Sequence, residues 1–146
     1  MDNAITDLLD AIIPELEKML SDMRFLMGFA MFIGPILLLA LGAYYYYFAP
    51  PEANHKAGYR TYYGMGSVAA WKFTQGFAGK IWGLLGAGLA AVALIGCIIM
   101  AAQEPENAVV CGLVILILEA VAVIAGFVLI ETTVKRRFDA DGNLKK

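Results

Sequence analysis

Three apolar runs, 25–48, 81–102 and 108–130, constrain this chain more than anything else in it, and together they hold one member of the Asp/Glu/Lys/Arg class, Glu119. They contain 24, 22 and 23 residues. A helix rising 1.5 Å per residue crosses roughly 30 Å of hydrocarbon in about 20 residues. A soluble core has no use for helices that long and that uncharged. The expected fold class is therefore all-α, an integral membrane three-helix bundle. A mean hydropathy of +0.68 leaves too little polar chain for a separate soluble domain.

The charges around these spans divide unevenly. The stretch 1–24 carries Asp2, Asp7, Asp10, Glu15, Glu17 and Asp22 against Lys18 and Arg24. The linker 49–80 carries Lys56, Arg60, Lys72 and Lys80 against Glu52, and the linker 103–107 has Glu104 and Glu106. The tail 131–146 holds Lys135, Arg136, Arg137, Lys145 and Lys146. Nine Lys and Arg thus flank one side and two the other. The positive-inside bias then predicts an N-terminus outside, with the long linker and the tail in the cytoplasm. An acidic leader before so long an apolar run does not read as a cleavable signal peptide, so span one is expected to stay.

Within 1–24, Ile5, Leu8, Leu9, Ile12, Ile13, Leu16, Met19, Leu20 and Met23 form the apolar stripe of an amphipathic helix, with acids opposite. Pro14 is expected to kink or split it. Such a helix either docks a partner or lies on the outer leaflet or against the bundle. Pro35 sits inside span one, where neighbouring helices can satisfy the freed backbone group. The run Tyr44 to Tyr47 with Phe48 reads either as a ligand cage or as an interfacial aromatic belt, the belt being the simpler reading. Pro50 and Pro51 stop the helix.

Span two has a seam of small residues, since Gly76, Gly79, Gly83, Gly86, Ala90, Ala93 and Cys97 follow steps of three and four. A seam like this admits a second helix at close range, from the same chain or from a second copy in a homo-oligomer. Span three offers a match, in which Gly112, Ile115, Glu119, Ala122 and Gly126 keep the same rhythm. The five-residue linker 103–107 makes spans two and three antiparallel neighbours, so the two seams could meet. Cys97 and Cys111 flank that linker, close enough for a disulfide to be conceivable, although small residues in membrane helices usually serve packing.

Glu119 lies about 16 Å along a helix of roughly 34 Å, at mid-membrane. An unpaired charge there is costly, so the carboxyl is expected to be protonated or paired. It is either a proton or cation site, a contact for an inserted peptide, or a neutral hydrogen-bonding group between helices. The rest of the catalytic inventory is thin. His55 is the only histidine, and no metal-ligand spacing, phosphate loop or nucleophile elbow appears. No enzyme, cofactor, metal or nucleic-acid partner is expected; the bilayer is.

The linker is different in kind. Gly58, Tyr59, Arg60 and Thr61 precede Ser67, Trp71, Gln75 and Gly79, four residues apart and hence near one face of an interfacial helix that would turn into span two. Ser67 is its expected N-cap. Arg60 could hold a lipid phosphate or pair with Glu131.

Gly58, Arg60 and Thr61, followed by Ser67, Trp71, Gln75, Gly79 and a glycine-rich span, resemble the signature of the SdpI family of bacterial membrane proteins. The match covers roughly a quarter of the chain, and the three-span layout resembles a short member. Tyr62 stands where the family often has proline, Gln75 where it often has Asn or His, and the acidic leader has no counterpart in the pattern. The resemblance implies immunity against a membrane-active peptide toxin in the bacterial cytoplasmic membrane, and a cytoplasmic regulator recruited when the toxin is present. Two other functions fit the residues alone: a small proton- or ion-coupled transporter subunit built on Glu119, and an assembly or scaffold subunit docked through the N-terminal helix.

Overall fold

The computed structural model describes residues 2–145. Lys146, counted above with the tail, lies outside them, as do the side chains of residues 2–4, 6 and 7, Asp2 and Asp7 of the acidic face among these. Three long helices make the molecule: α1 (Asp2–Ala43), α2 (Val68–Ala101) and α3 (Pro105–Arg137). Each is long and apolar enough to cross a membrane. They pack on one another as a bundle, with α1 against α2 the most extensive interface.

Helix α1 is longer than the pattern of charges suggests. It runs unbroken through both Pro14 and Pro35, so the amphipathic leader and span one are one helix and Pro14 does not divide them. The reason is local: Pro14 frees the carbonyl of Asp10, a residue on the exposed surface where water can donate to that oxygen in place of the missing N–H. Pro35, by contrast, is fully buried in the bundle. The helix ends in a π-helical turn, Tyr44–Phe48, before Ala49 goes extended. Tyr44, Tyr46, Tyr47 and Phe48 point outward, Tyr46, Tyr47 and Phe48 pairing edge to face in sequence and Tyr44 with the half-buried Tyr45, an arrangement suited to an aromatic girdle.

Helix α2 is likewise one piece. Its first turns are the helix predicted for the linker, and no bend separates them from the span. Ser67 caps it, its hydroxyl accepting from Ala70 N at 3.1 Å. Glu104 precedes Pro105 at the start of α3, and Arg24 on α1 reaches level with this α2–α3 turn, its guanidinium 3.5 Å from Gln103 O.

The small seam of α2 faces α1 rather than α3. A Cβ added at Gly86 would lie 2.8 Å from Leu39 N and 2.9 Å from Pro35 O, and one at Gly79 would lie 2.8 Å from Tyr46 N. Reciprocally, a Cβ at Gly42 would lie 2.5 Å from Gly83 N. Backbone on backbone is what small residues permit, and without a hydrophobic drive in lipid this dispersion is what holds helices together. Gly76 and Gly83 present their own missing side chains to open space. Ala93 is buried in a second cluster with Met31, Met100, Ala108 and Ile115, beside the half-buried Ala90. On α3, Gly112 receives Met27 and Met100, and Gly126 receives Leu85 and the Trp82 ring. The seams of α2 and α3 therefore come together only in part: Ala93 and Ile115 share a buried cluster, while Gly79 and Gly86 turn to α1 and Gly126 takes up side chains of α2. Cys97 and Cys111 are free thiols, Cys97 Sγ lying 3.9 Å from Gly28 O.

Candidate functional site

At the linker end of the bundle the chain 49–67 folds back over the start of α2, and the motif residues are what hold it there. Trp71 is fully buried and donates its Nε1–H to Pro50 O at 2.7 Å. Its ring lies under Gly58, whose φ is +98°. A Cβ at Gly58 would fall 2.5 Å from Trp71 Cζ2, so conformation and contact both demand glycine. One turn on, Gln75 pairs with the backbone of Tyr59 in both directions, Tyr59 N donating to Oε1 and Nε2 donating to Tyr59 O, each at 2.7 Å. The side-chain amide thereby takes the place of a neighbouring strand.

Thr61 closes the next turn. Its Oγ1 accepts from Gly64 N at 2.8 Å, and Met65 N donates to its carbonyl at 3.2 Å. Gly64 is buried against Thr74, whose own hydroxyl donates back to Ala70 O at 2.8 Å. Ser67 serves twice, since the hydroxyl that caps α2 also donates to Gly142 O at 2.7 Å. Gly58, Thr61, Ser67, Trp71, Gln75 and Gly79 thus spend their chemistry on architecture. Arg60, between two buried residues, points out and, among the described residues, donates only to His55 O, at 2.7 Å.

Ser67 joins the linker to an element that sequence reasoning missed. After α3 the tail turns back as a small hairpin, with Phe138 and Leu144 forming the one β bridge among the described residues. Asp139 organises it, Oδ1 accepting from Asp141 N at 3.0 Å and Asn143 N at 2.8 Å. These bonds hold the Asp139 carboxyl below its ordinary range, first through Asn143 and with Lys145 nearby. Phe138 packs on Phe73 and Arg137 lies over the Phe73 ring at 4.4 Å, fixing the hairpin to α2. The Asp141–Gly142 pair, with Gly142 at φ +76°, is the turn signal that could have disclosed it.

Beside the clamp a groove of about 520 Å³ opens between α1 and α3, lined along its length by Gly34, Leu38, Tyr59 and Phe127. Arg60 and Glu131 stand at its linker end. Tyr59 is buried between Tyr45, Trp82 and Phe127, and its phenol is pushed far up, by burial first and then by the Glu131 carboxylate and Tyr45. At the inner end, a Cβ on Gly34 would lie 3.3 Å from Glu119 Oε2. Glu119 is 6% exposed, and its Oε1 has no hydrogen-bond partner in the bundle. The groove is apolar along most of its length and carries Arg60 and Glu131 at its linker end, with Glu119 buried behind Gly34, which suits an elongated amphipathic occupant whose polar end lies at the interface.

The sequence model described as the SdpI/YfhL protein family matches residues 52–132, from the fold-back of the linker to the mouth of the groove on α3. No curated protein matches the chain, and no solved structure does.

Proposed function

The chain belongs to the SdpI/YfhL protein family, through a match over more than half its length, and from that membership we propose that it protects its cell against a membrane-active peptide, or signals that peptide's presence, from the bacterial cytoplasmic membrane. It works by binding and needs no catalytic group. The observation that carries the reading is the placement of Arg60. Six motif residues build a rigid platform, and the seventh is left exposed at the mouth of a lateral, apolar groove.

An apolar segment of the peptide enters the groove from the lipid, and its anionic group or terminal carboxylate meets the Arg60 guanidinium in two hydrogen bonds. Occupancy removes the peptide from the bilayer. Because the linker, the start of α2 and the tail hairpin are tied together at Ser67, a change at the groove mouth reaches the basic tail, where a cytoplasmic regulator would dock. Transport is the alternative, favoured by the orphaned Glu119 Oε1, but three helices enclose too little volume for a pathway of their own.

The test is survival. A sensitive strain expressing this protein is challenged with purified peptides encoded beside its gene. Survival above the vector control supports immunity, and unchanged killing by every such peptide removes the main support for it.

A further inference from the structure

One face of α1 is apolar from end to end and lies open. Ile5, Leu9, Ile12, Leu16, Met19, Met23 and Leu26 follow steps of four and three without a break, and the same steps reach Ala30, Ile33 and Leu37. From Ile5 to Leu26 these side chains are 37% to 65% exposed, and Ile33 and Leu37 are exposed as well. The bundle uses another face, through Met31, Pro35, Leu38 and Gly42. The open seam therefore competes with no internal contact.

Steps of four and three are the repeat of a left-handed parallel coil, with Leu9, Leu16 and Met23 at one core position and Ile5, Ile12, Met19 and Leu26 at the other. Most of the remaining positions agree, Glu15 and Asp22 being the charged residues that flank the core, on the side opposite Ile13 and Leu20. Asp10, Glu17, Lys18 and Ser21 fall away from the seam, and Pro14 takes the outermost position, where its missing N–H disturbs no contact. Ile13 and Leu20 flank the core and widen it.

Lipid is not the natural cover for the outer half of this face. A 42-residue helix is about 63 Å long, twice the roughly 30 Å of hydrocarbon. Arg24 is level with the α2–α3 turn, so the first turns of α1 stand beyond the bundle. Because the helix is continuous there, they cannot fold down onto the membrane surface while the rest crosses it. A second copy does match. Every copy inserts in the same direction and to the same depth, so their α1 helices meet parallel and in register, as the repeat requires. A coil of three heptads is short to associate from free solution, but copies sharing one membrane are concentrated and already aligned.

We propose that this chain assembles in the membrane as a parallel homo-oligomer through the Ile5–Leu26 face of α1, continued along Ile33 and Leu37. Leu9 and Leu16 at the first core position with Ile5 and Ile12 at the second select more than two strands. The α1 helices occupy the centre, α2 and α3 the periphery, and each groove, with Leu37 on its wall, borders the central contact.

The experiment uses the full chain in native membranes with Cys97 and Cys111 replaced by alanine and one cysteine placed at Leu16, Lys18 or Ser21. Oxidation should cross-link copies through position 16 roughly five-fold more than through 18 or 21, following the seam. In lipid nanodiscs, light scattering should give more than two copies for the wild type and for Leu16→Ile, and one copy for Ile12→Glu with Leu16→Glu. Equal cross-linking around the helix, a monomeric wild type, or a double glutamate variant that still assembles would each overturn the proposal, and a mass of two copies would overturn its stoichiometry. None of these readouts depends on a peptide, so failure here leaves the immunity reading untouched, and the converse holds.

Discussion

Gln75 and Tyr59, sixteen residues apart, hold each other by two hydrogen bonds of 2.7 Å, in which a side-chain amide donates to and accepts from a single backbone residue. Both partners are buried. Replacing Gln75 by leucine leaves the N–H and C=O of Tyr59 without partners, and each unsatisfied buried group costs about 1–3 kcal/mol. Gln75→Leu should therefore lower stability by about 2–4 kcal/mol, and Gln75→Glu should do no better, since a carboxylate has no donor for Tyr59 O. Denaturant midpoints in detergent, with Gly76→Ala as control because nothing lies within 4 Å of its Cβ position, measure it. A Gln75→Leu midpoint equal to that of the control would show that the clamp is dispensable.

Two glycines that look equivalent in the sequence should behave differently. Gly86 meets the backbone of α1 through its own missing side chain, whereas the Cβ direction of Gly83 is open and only its backbone touches Gly42. Gly86→Ala must push Leu39 and Pro35 away, and a shift of packed backbone costs about 1–3 kcal/mol. Gly83→Ala should be close to neutral, or slightly stabilising through helix propensity. Thermal melts of the two variants and of Gly42→Ala decide this, the last expected to match Gly86→Ala. Equal melting for Gly83 and Gly86 would place the helix contact elsewhere.

What the sequence made legible, and what it hid, follows from the kind of force involved. The three spans could be read because hydrocarbon thickness sets a minimum length that 25–48, 81–102 and 108–130 all exceed. The seam of α2 could be read as a close-approach surface, but smallness does not name the partner: Gly79 and Gly86 would accept α1 or α3 equally, and only the assembled bundle chooses α1. The unbroken run through Pro14 was hidden because a proline penalty depends on where the freed carbonyl points. At the candidate site the motif spacing exposed Ser67 as a cap and Trp71 and Gln75 as one helix face. It could not show that their partners are backbone groups of residues 50 and 59, because such bonds leave no trace in the identity of the partner. Arg60 was already set apart in the sequence as the guanidinium able to hold an anion, and the structure adds that it is exposed between two buried neighbours.

Glu119 should tolerate loss of its charge and not its reversal. Its carboxyl is buried against Gly34, and one oxygen lacks a partner. Glu119→Gln keeps shape and polarity and should fold and insert at wild-type levels. Glu119→Lys adds length and a charge at mid-membrane, a cost of several kcal/mol or about 3 on insertion scales, and should be degraded. Membrane levels and monodispersity in detergent read both. A Lys variant at wild-type level would mean that the residue reaches water, and a Gln variant that folds but no longer functions would give weight to a proton-linked role.

The orientation follows from the nine-to-two division of Lys and Arg. With both native cysteines removed, a cysteine at Asn54 in the linker should be shielded from an impermeant thiol reagent in intact cells, and one at Asn3 should react. Permeabilisation should then expose Asn54. Labelling of Asn54 alone before permeabilisation would reverse the topology and turn the mouth of the groove outward.

Arg60 is the motif residue whose side chain the fold does not consume, so it separates function from stability. Gly58, Trp71 and Gln75 cannot be changed without loosening the linker, whereas Arg60 makes one exposed hydrogen bond, to His55 O, and an exposed bond of this kind contributes about 1 kcal/mol or less. Arg60→Ala and Arg60→Lys should therefore both reach wild-type membrane levels and melt close to wild type. They should differ from it in protection. A guanidinium holds a carboxylate or phosphate through two parallel donors, and an ammonium offers a point charge without that geometry. Loss of one such charge-assisted contact, about 1.5–3 kcal/mol, corresponds to a roughly 10- to 100-fold lower protective affinity. Lysine should recover little of it. The measurement is the peptide concentration that halves survival of a sensitive strain carrying each variant, normalised to protein in the membrane. If Arg60→Lys protects as well as the wild type, only positive charge is needed at the mouth of the groove and the two-bond contact is wrong. Full protection by Arg60→Ala would remove Arg60 from the site, and with it the observation on which the groove was assigned.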